Sequence, residues 1–270
     1  MSKPPSPKSA ASKLLRGGLP SVPGAGRRAQ FSAATKRTLV DVAERLFTEN
    51  GYTGTSLDAI VAGAEVTKGA LYHHFNGKRA LFEAVFERVE GEAVRLIQKA
   101  MKERRDPWDK AIAGLRAFVD VVQQPGYRRV VVQEAPAVLG YERVREQEER
   151  TSFAVVHDLV DHLLGDRNQP VDAGLVATFS SILFGALSAA GEFVADSDEP
   201  TDASRRVEIA FGYLISGMQL LRDAGVTLPT SAELETQGES FTLAAQQEQA
   251  DPADPADAAD APTPGADERV

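Results

Sequence analysis

The sequence has no cysteine, and this absence excludes disulfide scaffolds, Cys-ligated zinc fingers and cysteine nucleophiles. It also lacks a glycine-rich phosphate loop, a Gly-x-Ser-x-Gly nucleophile elbow and a His-Glu-x-x-His zinc motif. Strand patterns are scarce, because the only β-like run is the valine triplet 130–132. Hydrophobic residues make up 43% and charged residues 26% of the 270 residues. The composition is therefore typical of a globular protein with a sizeable core. Because the catalytic motifs named above are missing, we expect no enzymatic activity.

Charge is unevenly distributed along the chain, whose net charge is −9. Residues 1–30 carry six basic residues and no acid, whereas residues 232–270 carry ten acids and one Arg. We predict a disordered basic arm over 1–30 and a disordered acidic tail over 229–270, because both ends contain few large apolar side chains. We interpret the arm as solvated, with insertion into a DNA minor groove as the alternative.

Targeting and membrane signals are weak in this sequence. Proline and glycine interrupt the basic head, so it does not resemble a secretory signal. Residues 173–191 carry no charge, and this segment is nominally long enough to cross a bilayer. Twelve of its residues, however, are Ala, Gly, Ser or Thr. We expect a buried or interface helix there, no membrane association and a cytoplasmic location.

The rest of the pattern predicts an all-α fold. Leu39, Val42, Ala43, Leu46 and Phe47 follow helical spacing, and we expect Ser32 to cap this helix and Gly51 to end it in a left-handed position. Short helices are expected from Thr55 or Ser56 to Ala64 and from Thr67 to His74. Longer helices are expected near 78–104, 107–123, 126–138, 140–164, 170–195 and 201–224.

Three short helices within about 45 residues predict a helix-turn-helix. With Leu71 facing inward, a helical wheel places Gly69, Ala70, Tyr72 and His73 on the outward face. A solvated face normally carries Glu, Lys or Gln, whereas this face is small and ring-bearing. Residues 66–80 hold three basic residues and no acid, which favours a local contact with phosphates.

The residues 46–60 (LFTENGYTGTSLDAI) and 64–82 (AEVTKGALYHHFNGKRALF) resemble the signature of the TetR family of bacterial transcriptional regulators. The resemblance implies a helix-turn-helix DNA-binding domain over 31–80 and a helical ligand-binding and dimerisation domain over 81–228. One departure is the turn at 63–65, where the family more often has Ala-Ala-Gly, so Glu65 requires a less common turn geometry.

The resemblance also implies which residues contact DNA. Thr67, Lys68, Gly69 and Ala70 would face base edges or the adjacent backbone. Thr55 or Ser56 would cap the second helix and also touch a phosphate. The other residues implied to contact phosphates are Tyr72, His73, His74 and Lys78. Two protomers would read a palindromic operator with recognition helices about 34–36 Å apart. The alternative role for His73 and His74 is metal binding, but adjacent side chains diverge by about 100° on a helix and chelate poorly.

We predict an apolar effector pocket in the C-terminal domain, with no cofactor and no metal. The candidate wall and anchor residues are Phe86, Phe118, Val122, Val131, Glu134, Phe153, Val156, His157 and Phe179. For Phe118 and Phe153, as for Trp108, a core position is the alternative. His157 is also interpretable as a core histidine, and an acid–base cluster with His162, Asp158 and Asp161 is a remote enzymatic alternative. The charged run 142–150 fits a solvated helix face.

The small-residue helix near 170–195 and the helix near 201–224 are predicted to form the dimer interface, with intrachain core as the alternative. The candidate interface residues are Gly174, Ala177, Ser181, Gly185, Ser188, Ala189, Phe211, Leu214, Ile215 and Met218. We therefore expect a homodimeric repressor that a small, mainly apolar effector releases from DNA, with the long helix from Lys78 as the lever. An architectural DNA-binding protein without an effector is the alternative.

Overall fold

A computed structural model describes residues 25–165, 171–226, 228–230 and 233, with side chains described from residue 30. Within these ranges the chain is helical and contains no strand, which confirms the predicted all-α class. The α-helices are α1 (Ala25–Gly54), α2 (Leu57–Gly63), α3 (Lys68–His74), α4 (Lys78–Lys102), α5 (Pro107–Val122), α6 (Ala135–Leu139), α7 (Tyr141–Arg150), α8 (Ser152–Leu164), α9 (Ala173–Ala195) and α10 (Pro200–Asp223). A π-helix, Tyr127–Glu134, precedes α6.

The first helix begins earlier than the sequence predicts. It starts at Ala25, so Ser32 lies inside it and does not cap it, and residues 25–30 of the predicted disordered arm are helical. The rest of that arm, and nearly all of the acidic tail, lie outside the described residues. Gly51 does interrupt α1 with φ 73° and ψ 174°, an extended, positive-φ geometry and not the left-handed helical one that we expected.

Two later predictions of helix shape are also wrong. The 126–138 segment is mostly a π-helix, whose wider turn carries the valine triplet that looked β-like. The predicted helix 140–164 is two helices, because Thr151 leaves the helical region with φ −123° and ψ −81°. Gly140, at φ 87°, turns the chain between α6 and α7.

The chain folds as two compact units that do not follow a boundary at residue 80. Of the described residues, unit 1 holds those up to Arg95 together with Asp120–Gln147 and Val194–Thr201, and unit 2 holds the others. Unit 1 thus contains the first three helices, most of α4, the π-helix and α6. The predicted division at 80 remains a functional hypothesis.

One hydrophobic core organises unit 1. It joins Leu39, Phe47, Ile60 and Leu71 from the first three helices to apolar side chains of α4. The π-helix and the helices after it belong to the same core and contribute Val130, Val131, Ala135, Leu139 and Val144. The three-helix motif therefore has no separate core of its own.

In unit 2, α9 and α10 leave much apolar surface uncovered. By length and composition alone, helix α9 could cross a membrane, as could the core helices of many soluble proteins. Only 11% of its most apolar stretch is buried in the chain. Ile182 on α9 and Ile209, Tyr213 and Leu214 on α10 are all exposed. Polar contacts such as that between Arg116 Nε and Glu208 Oε1, at 2.7 Å, help to hold unit 2 together.

Candidate nucleic-acid interface

The orientation of α3 is set by its cap and its one buried side chain. The Thr67 hydroxyl accepts a hydrogen bond from the Ala70 N–H at 3.2 Å, which begins the helix. Leu71 has no exposed surface and anchors α3 in the core of unit 1. This arrangement confirms Leu71 as the inward position.

The opposite face of α3 is open. Gly69 and His73 are exposed, Ala70 is half-buried, and Tyr72 is 59% exposed. A Cβ built at Gly69 would come no closer than 3.8 Å to another heavy atom, the Thr67 hydroxyl oxygen. The chain's own packing therefore does not require glycine at position 69, and the small face is available for close approach to another molecule.

The turn before α3 has the unusual geometry that the sequence predicts. Glu65 has φ 53°, the one positive φ of a non-glycine among the described residues. Its N–H donates to the Ala62 carbonyl at 3.2 Å, and the Val66 N–H donates to the Val61 carbonyl at 3.2 Å. Left-handed geometry at a residue with a side chain costs about 1–2 kcal/mol, and this turn directs the chain from α2 into α3.

Lys68 forms an ion pair instead of standing alone on the DNA-facing side. Its Nζ lies 2.6 Å from Asp58 Oδ1, and both side chains are largely exposed. The hydrogen bond to Asp58, followed by the charge of that carboxylate, raises the pKa of Lys68. In the free protein Asp58 therefore holds the Lys68 ammonium, and a base or phosphate would share or replace this carboxylate.

Lys78, for which the resemblance implies a phosphate contact, is bound within the chain. The Lys78 Nζ donates to the carbonyl oxygens of Tyr52 at 2.8 Å and Thr55 at 3.0 Å. It also lies 4.3 Å from the centroid of the Tyr52 ring. Lys78 thus donates to carbonyls at and just after the end of α1 and connects them to the start of α4. A half-buried ammonium needs such acceptors nearby.

Burial removes Thr55 as a candidate phosphate contact, whereas Ser56 is accessible. Thr55 is buried, and its hydroxyl is within hydrogen-bonding distance of the Gly51 carbonyl at 2.8 Å and the Leu46 carbonyl at 3.0 Å. Thr55 is therefore not accessible to a DNA partner. The exposed Ser56 hydroxyl accepts from the Ala59 N–H at 3.1 Å and caps α2.

Sequence reasoning missed Lys36, a cation beside α3. Its Nζ lies 5.7 Å from the ring centroid of Phe75, the residue that ends α3. Partial burial, His73 and Lys36 together lower the pKa of His74. The run Lys36-Arg37 on an exposed part of α1 was the available signal.

The rings of His73 and His74 are 5.1 Å apart, edge to face, and no set of three metal-ligating side chains occurs among the described residues.

The π-helix is fastened directly to the end of α1. The Tyr52 N–H donates to Glu134 Oε2 at 2.7 Å, and Arg129 Nε donates to Glu134 Oε1 at 3.1 Å. A Cβ at Gly51 would lie 2.5 Å from both Arg129 Nη2 and Glu134 Oε1, so these side-chain ends would have to shift, and the positive φ of Gly51 itself favours glycine. Glu134 is therefore a structural acceptor, which corrects its predicted role as a pocket anchor.

The other predicted pocket residues are divided between the two units. Phe86 and Val131 are buried in the core of unit 1 and Val122 is buried as well, which removes them as accessible walls. In unit 2, Phe118, Phe153, Val156, His157 and Phe179 are half-buried. A cleft of about 450 Å³ in unit 1 is elsewhere, and its mostly charged lining consists of Asp41, Glu44, Arg45, Thr48, Glu49, Arg88 and Gly126.

Two of these residues, Phe153 and His157, form a small cluster with Phe184. The rings of Phe153 and His157 are stacked with centroids 6.1 Å apart, and Phe184 meets Phe153 edge to face at 5.6 Å. The His157 Nδ1 lies 3.1 Å from the hydroxyl of the buried Ser180. The Ser180 hydroxyl also lies 2.7 Å from the Val176 carbonyl. If the hydroxyl donates its proton to that carbonyl, His157 Nδ1 is the donor and Nε2 remains an acceptor.

Most predicted dimer residues are accessible on the single chain. On α9, Ser188 is half-buried, and the exposed members are Gly174, Ala177, Ser181, Gly185 and Ala189. On α10, Leu214 is 56% exposed, and Ile215 and Met218 are half-buried. Phe211 is wrong as an interface residue, because only 8% of it is exposed and it packs within its own chain.

Comparisons with known proteins identify both parts of the chain. Residues 39–85 match the model described as "Bacterial regulatory proteins, tetR family", and residues 108–218 match "Tetracyclin repressor-like, C-terminal domain". The transposon Tn10 TetC protein of Escherichia coli is 28% identical over 116 residues, 42% of this chain. This chain spans only 57% of TetC.

Solved structures share the fold. A TetR-family transcriptional regulator from Pectobacterium atrosepticum has a TM-score of 0.59 and 29% identity, covering 71% of this chain and 96% of that one. FadR from Bacillus subtilis, solved in complex with stearoyl-CoA, has a TM-score of 0.55 and 17% identity, covering 67% and 98% of the two chains. At that identity the likeness to FadR concerns the fold alone.

Proposed function

Because the chain belongs to the TetR family of bacterial regulatory proteins, we propose that it is a transcriptional repressor that binds a palindromic operator as a homodimer. The observation that carries this proposal is the open face of α3, where Gly69, Tyr72 and His73 are exposed while Leu71 is held in the core. Small residues beside ring donors suit a helix that enters the major groove.

Gly69→Ala tests the proposal, because its effects on folding and on binding have opposite signs. The new Cβ makes only ordinary contacts within the chain, and replacing a helical glycine by alanine commonly stabilises a helix by about 0.5–1 kcal/mol. A methyl group between α3 and the base edges should weaken operator binding. Duplexes selected by the purified protein from random DNA provide the operator for a binding titration.

Gly91→Ala is the matched control, because it lies on α4 with no atom within 4 Å of the added Cβ. It should leave DNA affinity unchanged. If Gly69→Ala binds operator as tightly as the control, α3 does not approach DNA closely. If the wild-type protein selects no DNA at all, the proposed function fails.

The proposed dimer pairs the exposed faces of α9 and α10 with the same faces of a second copy. Small side chains on α9, including Gly185 and Ala189, let helix axes approach, and the exposed Ile209, Tyr213 and Leu214 of α10 supply apolar area. A patch of this kind is a liability on a monomer in water. A two-fold contact covers it on both chains at once.

The proposed effector is small and mainly apolar, and it binds in the C-terminal part of the chain. The cluster of Phe153, His157 and Phe184 offers aromatic contacts and, through His157, one polar anchor. Effector binding would shift the population toward a form with weaker DNA affinity, with a coupling free energy of typically about 1–3 kcal/mol. A thermal-shift screen tests this, and exclusive binding of charged hydrophilic compounds would contradict it. Such a regulator acts in the cytoplasm.

A further inference from the structure

The part of α1 before residue 39 stands apart from the core of unit 1. It runs from Ala25 and precedes the segment that matches the family, which begins at residue 39. None of the side chains at positions 30–38 is buried, and Leu39 is the first buried residue in the part of the chain whose side chains the structure describes. At 1.5 Å per residue, residues 25–38 extend the helix by about 21 Å.

This extension lies in the most basic part of the chain. The first 40 residues contain eight Lys or Arg and no acid, although the whole chain carries a net charge of −9. Lys36 and Arg37 are exposed. Among the described residues neither is paired with a carboxylate, whereas Lys68, Arg88 and Arg143 all form ion pairs.

The extension also passes close to the C-terminal end of α3. Lys36 lies over the ring of Phe75 at the end of α3, 5.7 Å from its centroid. It is close enough to His74 for its charge to disfavour the imidazolium form. Lys36 therefore lies beside the end of α3, with the exposed Arg37 next to it on α1.

We propose that residues 25–38 form a second DNA-binding element that contacts the phosphates flanking each half-site. This inference rests on the proposed function. A polyanion is the partner that complements a basic helix without acidic residues. Lys and Arg that contact only phosphates bind DNA through charge and do not distinguish its sequence. With base pairs about 3.4 Å apart, an extension of about 21 Å spans roughly six base pairs beyond the site.

The test compares two duplexes and two charge-matched variants of the full chain. One duplex is the selected operator trimmed to its two half-sites, and the other has about six more base pairs on each side. The first variant is Lys36→Gln with Arg37→Gln. The control is Lys99→Gln with Lys102→Gln, which removes the same charge from exposed positions near the end of α4.

On the longer duplex, the Lys36/Arg37 variant should bind more weakly and with a flatter salt dependence. The slope of log K against log salt falls by about 0.9 for each phosphate that the protein no longer neutralises, or by about 3.6 if Lys36 and Arg37 of both protomers each neutralise one phosphate. On the trimmed duplex the same variant should bind nearly as the wild type does. The Lys99/Lys102 control should match the wild type on both duplexes.

Equal weakening on the two duplexes would overturn the inference, because the cations would then act inside the half-sites. An unchanged slope on the longer duplex would also overturn it. Gly69→Ala separates this failure from failure of the proposed function. If Gly69→Ala weakens binding while the Lys36/Arg37 variant does not, α3 binds DNA and the extension does not.

Discussion

Gly51→Ala should destabilise unit 1 more than any other glycine-to-alanine change at a positive φ. Gly51 has φ 73° and ψ 174°, a region that is essentially restricted to glycine. An added Cβ would also lie 2.5 Å from Arg129 Nη2 and 2.5 Å from Glu134 Oε1. The substitution thus strains the backbone and displaces the two side chains that fasten the π-helix to α1.

The expected cost has two parts. A sparsely populated backbone conformation at a residue with a side chain costs about 1–3 kcal/mol. Displacing Glu134 Oε1 also disturbs the hydrogen bond that Glu134 Oε2 accepts from the Tyr52 N–H, and complete loss of a hydrogen bond to a charged group costs about 1.5–3 kcal/mol. Solvent reduces the second part, because Arg129 is substantially exposed. We expect a total loss of roughly 2–5 kcal/mol from these two sources.

Gly140→Ala isolates the backbone part of this cost. Gly140 has a similar conformation, φ 87° and ψ 148°, and no atom lies within 4 Å of a Cβ built there. Urea unfolding of both variants gives the two losses of free energy, and their difference measures the contact with Arg129 and Glu134. Hydrogen exchange of the Tyr52 amide reports the same contact locally.

The two variants together distinguish the steric cost from the backbone cost. If Gly51→Ala costs more than Gly140→Ala and the Tyr52 amide exchanges faster, Glu134 fastens the π-helix as described. Equal losses of free energy for the two variants would refute the steric part of the reasoning. A loss near zero for both would refute the backbone part as well.

Further expectations concern pH, Lys78 and the dimer. DNA affinity should rise as pH falls from about 8 to 6, because the pKa of His74 lies below its usual value in the free protein and a phosphate favours the imidazolium; a His73→Gln, His74→Gln variant that titrates unchanged would contradict this. Folding stability should instead fall as pH falls, because folding favours the neutral His74 ring. This contribution to the free energy of unfolding is lost as pH falls through the lowered pKa of His74. Lys78→Met should lower the free energy of unfolding in urea by about 1–3 kcal/mol, and the salt slope of DNA binding should stay unchanged. A slope reduced by about 0.9 per protomer would instead show that Lys78 contacts a phosphate. Gly185→Leu should give a folded monomer by light scattering, because the single chain leaves open space there, while Gly91→Leu stays dimeric; a dimeric Gly185→Leu protein would place the interface elsewhere.

Features that depend on local sequence were predictable. The helical spacing of the apolar residues located the first three helices, and the wheel around Leu71 identified the open side of α3. The departure at Glu65 from the common family turn predicted an uncommon geometry there, and Glu65 has a positive φ. Each of these depends on a few neighbouring residues, whose side-chain directions follow from the helical period.

Features that depend on distant partners were not predictable. Lys78 is basic and close to α3 in sequence, but its carbonyl acceptors lie 23 and 26 residues away. Glu134 is occupied by a backbone amide 82 residues away. The π-helix also escaped detection, because one extra residue per turn leaves no clear hydrophobic period in eight residues.

The shared core of unit 1 restricts how this protein can be re-engineered. Chimeric regulators are made by joining the DNA reader of one protein to the sensor of another, and a sequence boundary near residue 80 would be the obvious splice site. Here a graft cut at that boundary would leave Val130, Ala135, Leu139 and their neighbours facing a foreign surface. A transplantable reader must therefore carry the segment 127–144 with it, or the recipient must be repacked at those positions.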